Sequence, residues 1–414
     1  MTPYYERGGI QIFLGDCRER LGTLPDASVD AVVTDPPYEL GFMGKGWDRS
    51  GVAFDPWTWF MVMRVLKPGG HLLAFGGSRT YHRMACAIED AGFEIRDQIM
   101  WIYGSGFPKS LDISKGIDKA AGAVRERVGT QTGRGAMPRG DFRGGRLIGS
   151  DKAPIDTSAI TAPATPNATQ WSGWGSALKP AHEPIVLARK PLSEPTIAAN
   201  VLAHGVGGIN VDGCRIPGAP ESTRFDPSKH AHQGWRMDAT GAECAERASP
   251  AGRWPANVCL DPEAAAMLDA QSGDLTSGAN PTRRNSAVFK NCYGTFVGQE
   301  ECTPIRGADS GGASRFFYQA KASQDERNKG LPSGMINDHP CVKPLQLLDW
   351  LIRLVTPPGG TILDPFAGSG SVACSAARQG FSSISIEKDP HYVEIARHRI
   401  AYWASRPQQA EMFA

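Results

Sequence analysis

The sequence has almost no net charge: 44 Lys and Arg stand against 43 Asp and Glu over 414 residues, a formal +1. A chain-wide attraction to a polyanion is thereby excluded, and any nucleic-acid surface must be a local basic patch. The nine cysteines are scattered, with no C-x-x-C pair and no Cys/His quartet at zinc spacing. This excludes a disulfide framework and a structural zinc site, and it suits a reducing cytoplasm. His230 and His232 in KHAHQ lack further ligands at matching spacing, so no metal is expected. No uninterrupted apolar run approaches twenty residues, and the opening MTPYYERGGIQIFLGD lacks a basic stretch followed by an apolar one. The expectation is a soluble, unsecreted protein with no membrane span.

What is present is an α/β alternation at both ends of the chain. IQIFLGD and VDAVVTDPP read as strands, Asp55-Pro56 opens a helix closed by LKPGG, HLLAFGG reads as a strand, and a helix follows from Ser78 to about Gly92. From about Gly104 to Ala320 the texture changes to Gly, Ser, Thr, Asn and Arg, with short strand-like pieces such as EPIVLAR. The alternation returns near His339: helix PLQLLDWLIRLV, strand GGTILDPF, helix GSVACSAARQG, strand SSISIEKD and a last helix through Ile400. The terminal segment is too short for a complete doubly wound domain. Both ends are therefore expected to form one mostly parallel sheet, with the middle as an insertion. The expected organisation is 1–110, 111–312 and 313–414.

In TILDPFAGSGSVACSAARQGFSSISIEKD a strand runs into Gly368-Ser-Gly370, then a helix, then a strand ending in Glu387. Glycines allow close backbone approach at a helix start, and an acid ending the next strand suits ribose hydroxyls. The string G-x-G-x-x-A alone equally fits a plain strand-to-helix turn or a dinucleotide site. With Asp364 ahead of the loop and I-E-K-D after it, the segment resembles the S-adenosylmethionine loop of DNA amino-methyltransferases. The resemblance implies that Asp364, Phe366, Ala367, Gly368, Ser369 and Gly370 surround the methionine part of S-adenosyl-L-methionine. It places Glu387 on the ribose and Lys388 and Asp389 beside the adenine.

The second motif is Asp35-Pro36-Pro37-Tyr38 at the end of VDAVVT. An exocyclic amine on a base is a poor nucleophile because its lone pair is delocalised into the ring. Two acceptors aimed at its N–H bonds would localise that pair. The Asp35 carboxylate and the Pro36 carbonyl can supply them, held in a turn that the prolines stiffen. Tyr38 offers a face for an extruded base. Asp and Pro also commonly just end a strand. D-P-P-Y nevertheless is similar to the catalytic signature of N6-adenine and some N4-cytosine methyltransferases. Its place roughly three hundred residues ahead of the glycine loop resembles the β group of that family. I-F-L-G-D with L-P-D-A-S-V-D resembles the segment whose acid, here Asp16, meets the cofactor's adenine. H-P-C-V-K-P-L-Q-L resembles the segment that places His339, Pro340 and Lys343 near the methionine moiety, with Asp35 also bordering the cofactor.

The family-like stretches span residues 9–110 and 313–402, about half of the chain. The resemblance implies a Rossmann-like methyltransferase fold, double-stranded DNA as partner and a homodimer. An aspartate at the first motif position is, within the family, more usual for adenine N6 than for cytosine N4, which remains the alternative. A nucleotide-cofactor oxidoreductase is a remote third reading. For DNA contact, Arg134, Arg139, Arg143 and Arg146 lie in a glycine-rich loop, suited to phosphates and guanine. Arg283, Arg284 and Lys290 alternate with aromatics in TRRNSAVFKNCYGTFVG.

Overall fold

The computed structural model describes residues 2–40, 46–104, 106, 110–130, 159–217, 252–277, 286–291, 294–299, 309–320 and 324–406. They fall into two compact units, one of residues 1–104 and 182–414 and one of residues 105–181. Sixteen strands are described: β1 (Tyr5–Arg7), β2 (Ile10–Leu14), β3 (Val29–Thr34), β4 (Leu66–Phe75), β5 (Glu94–Ile102), β6 (Arg127–Thr130), β7 (Ala159–Thr161), β8 (His182–Arg189), β9 (Val258–Leu260), β10 (Leu275–Ser277), β11 (Ser286–Asn291), β12 (Gly294–Gln299), β13 (Asp309–Gly311), β14 (Tyr318–Gln319), β15 (Thr361–Asp364) and β16 (Ser382–Glu387).

The first unit is built on a ten-stranded sheet of order β1-β2-β16-β15-β3-β4-β8-β5-β9-β14. Strands β2, β16, β15, β3 and β4 run parallel, interleaving the two ends of the chain as their alternation predicts. The carboxyl ends of β2, β3, β15 and β16 consequently lie side by side. In open α/β sheets that edge is where ligands bind.

The middle of the chain is more than an excursion from this sheet. Strand β8 returns antiparallel between β4 and β5, pairing Ile185 with Phe75 and Ile99, and Glu183 with Trp101. Pro184–Arg189 are all buried, which explains why this piece reads as a continuous apolar run: it is covered on both faces. Strands β9 and β14 extend the sheet beyond β5.

Two apolar layers cover the sheet. On one face Ala31, Val33, Leu73 and Phe75 pack against the helices Leu345–Val355, Ser371–Gln379 and Pro390–Ala404; on the other, Val32, Leu72 and Ala74 pack against Pro56–Val65 and Tyr81–Asp90. Two of these helices start with Asp-Pro. Asp55 caps the Trp57 amide at 3.0 Å and Asp389 caps the His391 amide at 2.9 Å, each with proline in the first turn.

The second unit pairs β6 with β7 and carries the helices Ile113–Ala120 and Pro166–Gln170. Its polar centre is Asp118, fully buried, which pairs with Arg125 and accepts from the Ala164 and Thr165 amides and the Thr165 hydroxyl. Two antiparallel ribbons, β10 with β13 and β11 with β12, complete the described strands. Among the described residues no helix is long and apolar enough to cross a membrane.

Candidate active site

Asp35 follows β3 directly, so the sheet fixes where its carboxylate emerges. Lys343 Nζ lies 2.8 Å from Asp35 Oδ2, 3.1 Å from Glu183 Oε2 and 3.1 Å from the Tyr38 hydroxyl. Tyr38 in turn donates to Glu183 Oε2 at 2.9 Å. An ammonium has three N–H donors, and these three partners occupy them all. Asp35 Oδ1, by contrast, is buried and has no hydrogen-bond partner among the described residues.

The electrostatics follow from crowding. Burial pushes the Asp35 carboxyl upward, Lys343 pulls it back and Glu183 pushes it up again. Burial alone would lower Lys343, but Asp35 and Glu183 outweigh it and hold the ammonium strongly charged. Tyr38 is held far above its ordinary range by burial and by the Asp35 and Glu183 charges, so it stays a neutral donor.

The turn is stiffly seated. Thr80 Oγ1 donates to the Tyr38 carbonyl at 2.7 Å, and a Cβ on Gly77 would approach the Tyr38 ring to 3.1 Å. Immediately after the motif Glu39 adopts φ +55°, a left-handed conformation costly for a glutamate, and its amide donates to Asp48 Oδ1 at 2.9 Å.

The glycine loop joins this turn through a buried bond. Thr34 Oγ1 donates to Asp364 Oδ1 at 2.7 Å, and the Phe366 amide donates to the same oxygen at 3.1 Å. Burial lifts the Asp364 carboxyl to about 7, against those two hydrogen bonds and with help from the Asp35 and Glu387 charges. Asp364 therefore points into the sheet, as a strand-to-strand tie.

Gly368 and Gly370 have φ +52° and +77°. A Cβ would lie 2.7 Å from His339 Nε2 at the first and 2.9 Å from the Ala396 side chain at the second. Both positions thus require glycine, one for close approach of His339 and one for helix packing. Glu387 is locked by the Gly368 amide at 2.7 Å and the Asp389 amide at 2.8 Å. Asp16 caps the Arg18 amide beside it, since the Gly15 amide bonds the Glu387 carbonyl at 2.9 Å. Lys388 and Asp389 are exposed on the same rim.

Beneath the loop, Arg399 is fully buried and donates to the Ser369 carbonyl at 2.6 Å and its hydroxyl at 3.0 Å. Asn337 Nδ2 donates to the same hydroxyl at 3.1 Å. Burial, then Lys343, Arg327 and Arg399, lower His339 to about 4. His339 Nδ1 accepts the Cys341 amide at 3.3 Å, so in the neutral ring Nε2 carries the proton and faces Gly368.

Residues 29–398 match the family model described as DNA methylase, the N6/N4 group. The chain belongs to this DNA methylase family. It is 37% identical over 75 residues to the type II methyltransferase M.BglI of Bacillus subtilis, and 44% identical over 62 residues to M2.DpnII of Streptococcus pneumoniae. Those stretches cover 18% and 15% of the chain and only 22% and 23% of the two relatives. Among solved structures it is similar to the cytosine-N4-specific PvuII DNA methyltransferase at 15% identity, over 96% of this chain and 88% of that one, with a TM-score of 0.42.

Within this methylase the sequence-predicted residues form two groups. Asp35, Tyr38 and Lys343 gather at the turn; Asp16, the glycine loop, His339 and Glu387 gather at the adjoining strand ends. Lys343 contacts the turn, where Asp35, Glu183 and Tyr38 take its three donors. Arg134, Arg139, Arg143, Arg146, Arg283 and Arg284 lie outside the described residues; Lys290 sits on β11, with its side chain also outside them. Sequence reasoning missed Glu183, Thr34, Asn337 and Arg399. Only Glu183 carried a signal, as the single acid of strand β8, beside the apolar run Pro184–Ala188.

Proposed function

We propose that this protein is an S-adenosyl-L-methionine-dependent methyltransferase acting on double-stranded DNA, and that its target is the N6 amino group of an adenine flipped out of the duplex. The observation that carries this reading is the asymmetry of Asp35: one oxygen is held by Lys343, the other is a buried acceptor without a donor among the described residues. Buried polar atoms of this kind call for a partner, and an amino N–H supplies it.

The residues of the glycine loop fit the cofactor: two glycine-only positions, a locked acid at the end of β16 and a second acid at the end of β2. Glu387 would take the ribose hydroxyls, Asp16, Lys388 and Asp389 would border the adenine, and Phe366, Ala367, Gly368, Ser369 and Gly370 would enclose the methionine part. When bound, the cofactor supplies a sulfonium-activated methyl group. The chain's own contribution is positioning. Asp35 Oδ1 accepts one amine N–H and the Pro36 carbonyl a second, which localises the nitrogen lone pair along the line of attack. The proton released from the amine passes to Asp35 Oδ1, and Tyr38 supports the base by stacking.

Adenine is preferred because of the aspartate that opens D-P-P-Y. We carry the expected homodimer as part of the same reading, with light scattering as its measurement. Long-read sequencing of DNA from a host expressing the wild type or Asp35→Ala reports both target base and site. N6-methyladenine at one recurring sequence, absent with the variant, is the expected result. N4-methylcytosine would replace the base assignment, and unmodified DNA from the wild type would overturn the function.

A further inference from the structure

Glu183 lies on β8, a strand from the middle of the chain, far in sequence from both motifs. Its Oε2 nevertheless accepts the Tyr38 hydroxyl at 2.9 Å and sits 3.1 Å from Lys343 Nζ. The strand register sets it opposite Trp101 of β5, whose indole Nε1 is a buried donor with no partner among the described residues. Both side chains share the sheet face against which Tyr38 packs.

We infer that Glu183 is a positioning residue of the methyl-transfer site: by bonding Lys343 and Tyr38 through one oxygen it fixes the stacking ring and is a second carboxylate sharing the ammonium with Asp35. This rests on the proposed amino-methyl transfer and adds a residue to it. A lysine pulled entirely towards Asp35 would make that carboxylate a weaker acceptor. Divided between two carboxylates, it orients Asp35 Oδ2 and leaves Oδ1 basic enough to draw on an amine N–H. The groups facing Asp35 are Lys343, the Glu183 carboxylate, Tyr38 of its own turn, Asp364 at the end of β15, and Cys341; Tyr103, beyond the end of β5, lies within reach of Glu183 and Lys343. Of these, Glu183 and Asp364 oppose the Asp35 charge and Lys343 supports it.

Removing the charge while keeping the shape therefore has a signed consequence. With Glu183→Gln the acid limb of the pH–rate profile, where Asp35 gains its proton, moves to lower pH by about 1 unit. The rate at neutral pH falls about tenfold, a usual scale for one displaced group at a site. Affinity for S-adenosylmethionine, measured by calorimetry, stays unchanged. Glu183→Asp keeps the charge and returns the acid limb to its wild-type position. A purely structural role would lower the melting temperature and move no limb. A Glu183→Gln profile superimposable on an active wild type overturns the inference, whereas a wild type that methylates no DNA overturns the underlying function instead.

Discussion

Lys343 Nζ holds Asp35 Oδ2 at 2.8 Å across 308 residues of sequence, while Oδ1 of that carboxylate has no donor among the described residues. Lys343→Met removes the ammonium that contacts both Asp35 and Glu183. The Asp35 carboxyl then rises further, because its upward push from burial and Glu183 is no longer opposed. The acid limb of activity should move to higher pH, opposite to the shift for Glu183→Gln, and the fold should lose about 3–5 kcal/mol. Denaturant titration and pH–rate profiles measure the two effects. Cofactor affinity equal to wild type would place Lys343 with the acceptor group; a large loss would return it to the methionine moiety.

Asp35→Asn keeps the size of the side chain but not its charge. It should leave cofactor and DNA binding within about threefold of wild type, while the turnover rate drops by about 10²–10³, the usual scale for one preorganised polar group acting on developing charge. Single-turnover methylation beside calorimetric binding separates the two. Loss of binding with unchanged chemistry would contradict the role given to this carboxylate.

Both motifs were legible because each is local: D-P-P-Y fixes a turn within four residues, and D-P-F-A-G-S-G fixes a loop within seven. Their adjacency was also legible, since interleaved parallel strands are the economical way to join two half-domains. What escaped is everything that needs a partner strand. Glu183 acquires meaning only when β8 slots between β4 and β5, which no periodicity in EPIVLAR dictates. The bond from the Thr34 hydroxyl to Asp364 likewise depends on the register of β15 beside β3. The contacts of Lys343 escaped for the same reason: its three partners come from two distant segments.

Arg399 tests whether the glycine loop is shaped from below. Its guanidinium is buried, holds the Ser369 carbonyl and hydroxyl, and leaves Nε and one terminal nitrogen without partners among the described residues. Arg399→Met should weaken S-adenosylmethionine binding about tenfold while DNA affinity is kept, since the loop loses the donor that turns its carbonyls inward. Gly368→Ala should be more severe, because its Cβ meets His339 and its φ is left-handed. Calorimetry against S-adenosylhomocysteine measures both, and unchanged affinity in both variants would detach the loop from cofactor binding.

The buried carboxyl of Asp364 sets a pH dependence of stability whose sign differs from that of an ordinary salt-bridged acid. Its folded value of about 7 lies above the ordinary carboxylate value of 3.8. The native protein thus binds more protons than the unfolded chain between those two values, and the stabilisation is complete at low pH and lost as pH climbs towards 7. Asp364→Asn keeps an oxygen for Thr34 and Phe366 but has no charge to bury. Relative to wild type, the variant should therefore gain stability across pH 4 to 7, by on the order of a few kcal/mol at the upper end, with a constant difference above it. Melting temperatures of both proteins across that range measure it. A constant difference from pH 4 upward would mean that Asp364 is already ionised in the native protein at pH 4, and that the Thr34 hydroxyl and Phe366 amide suffice to hold its charge inside the sheet.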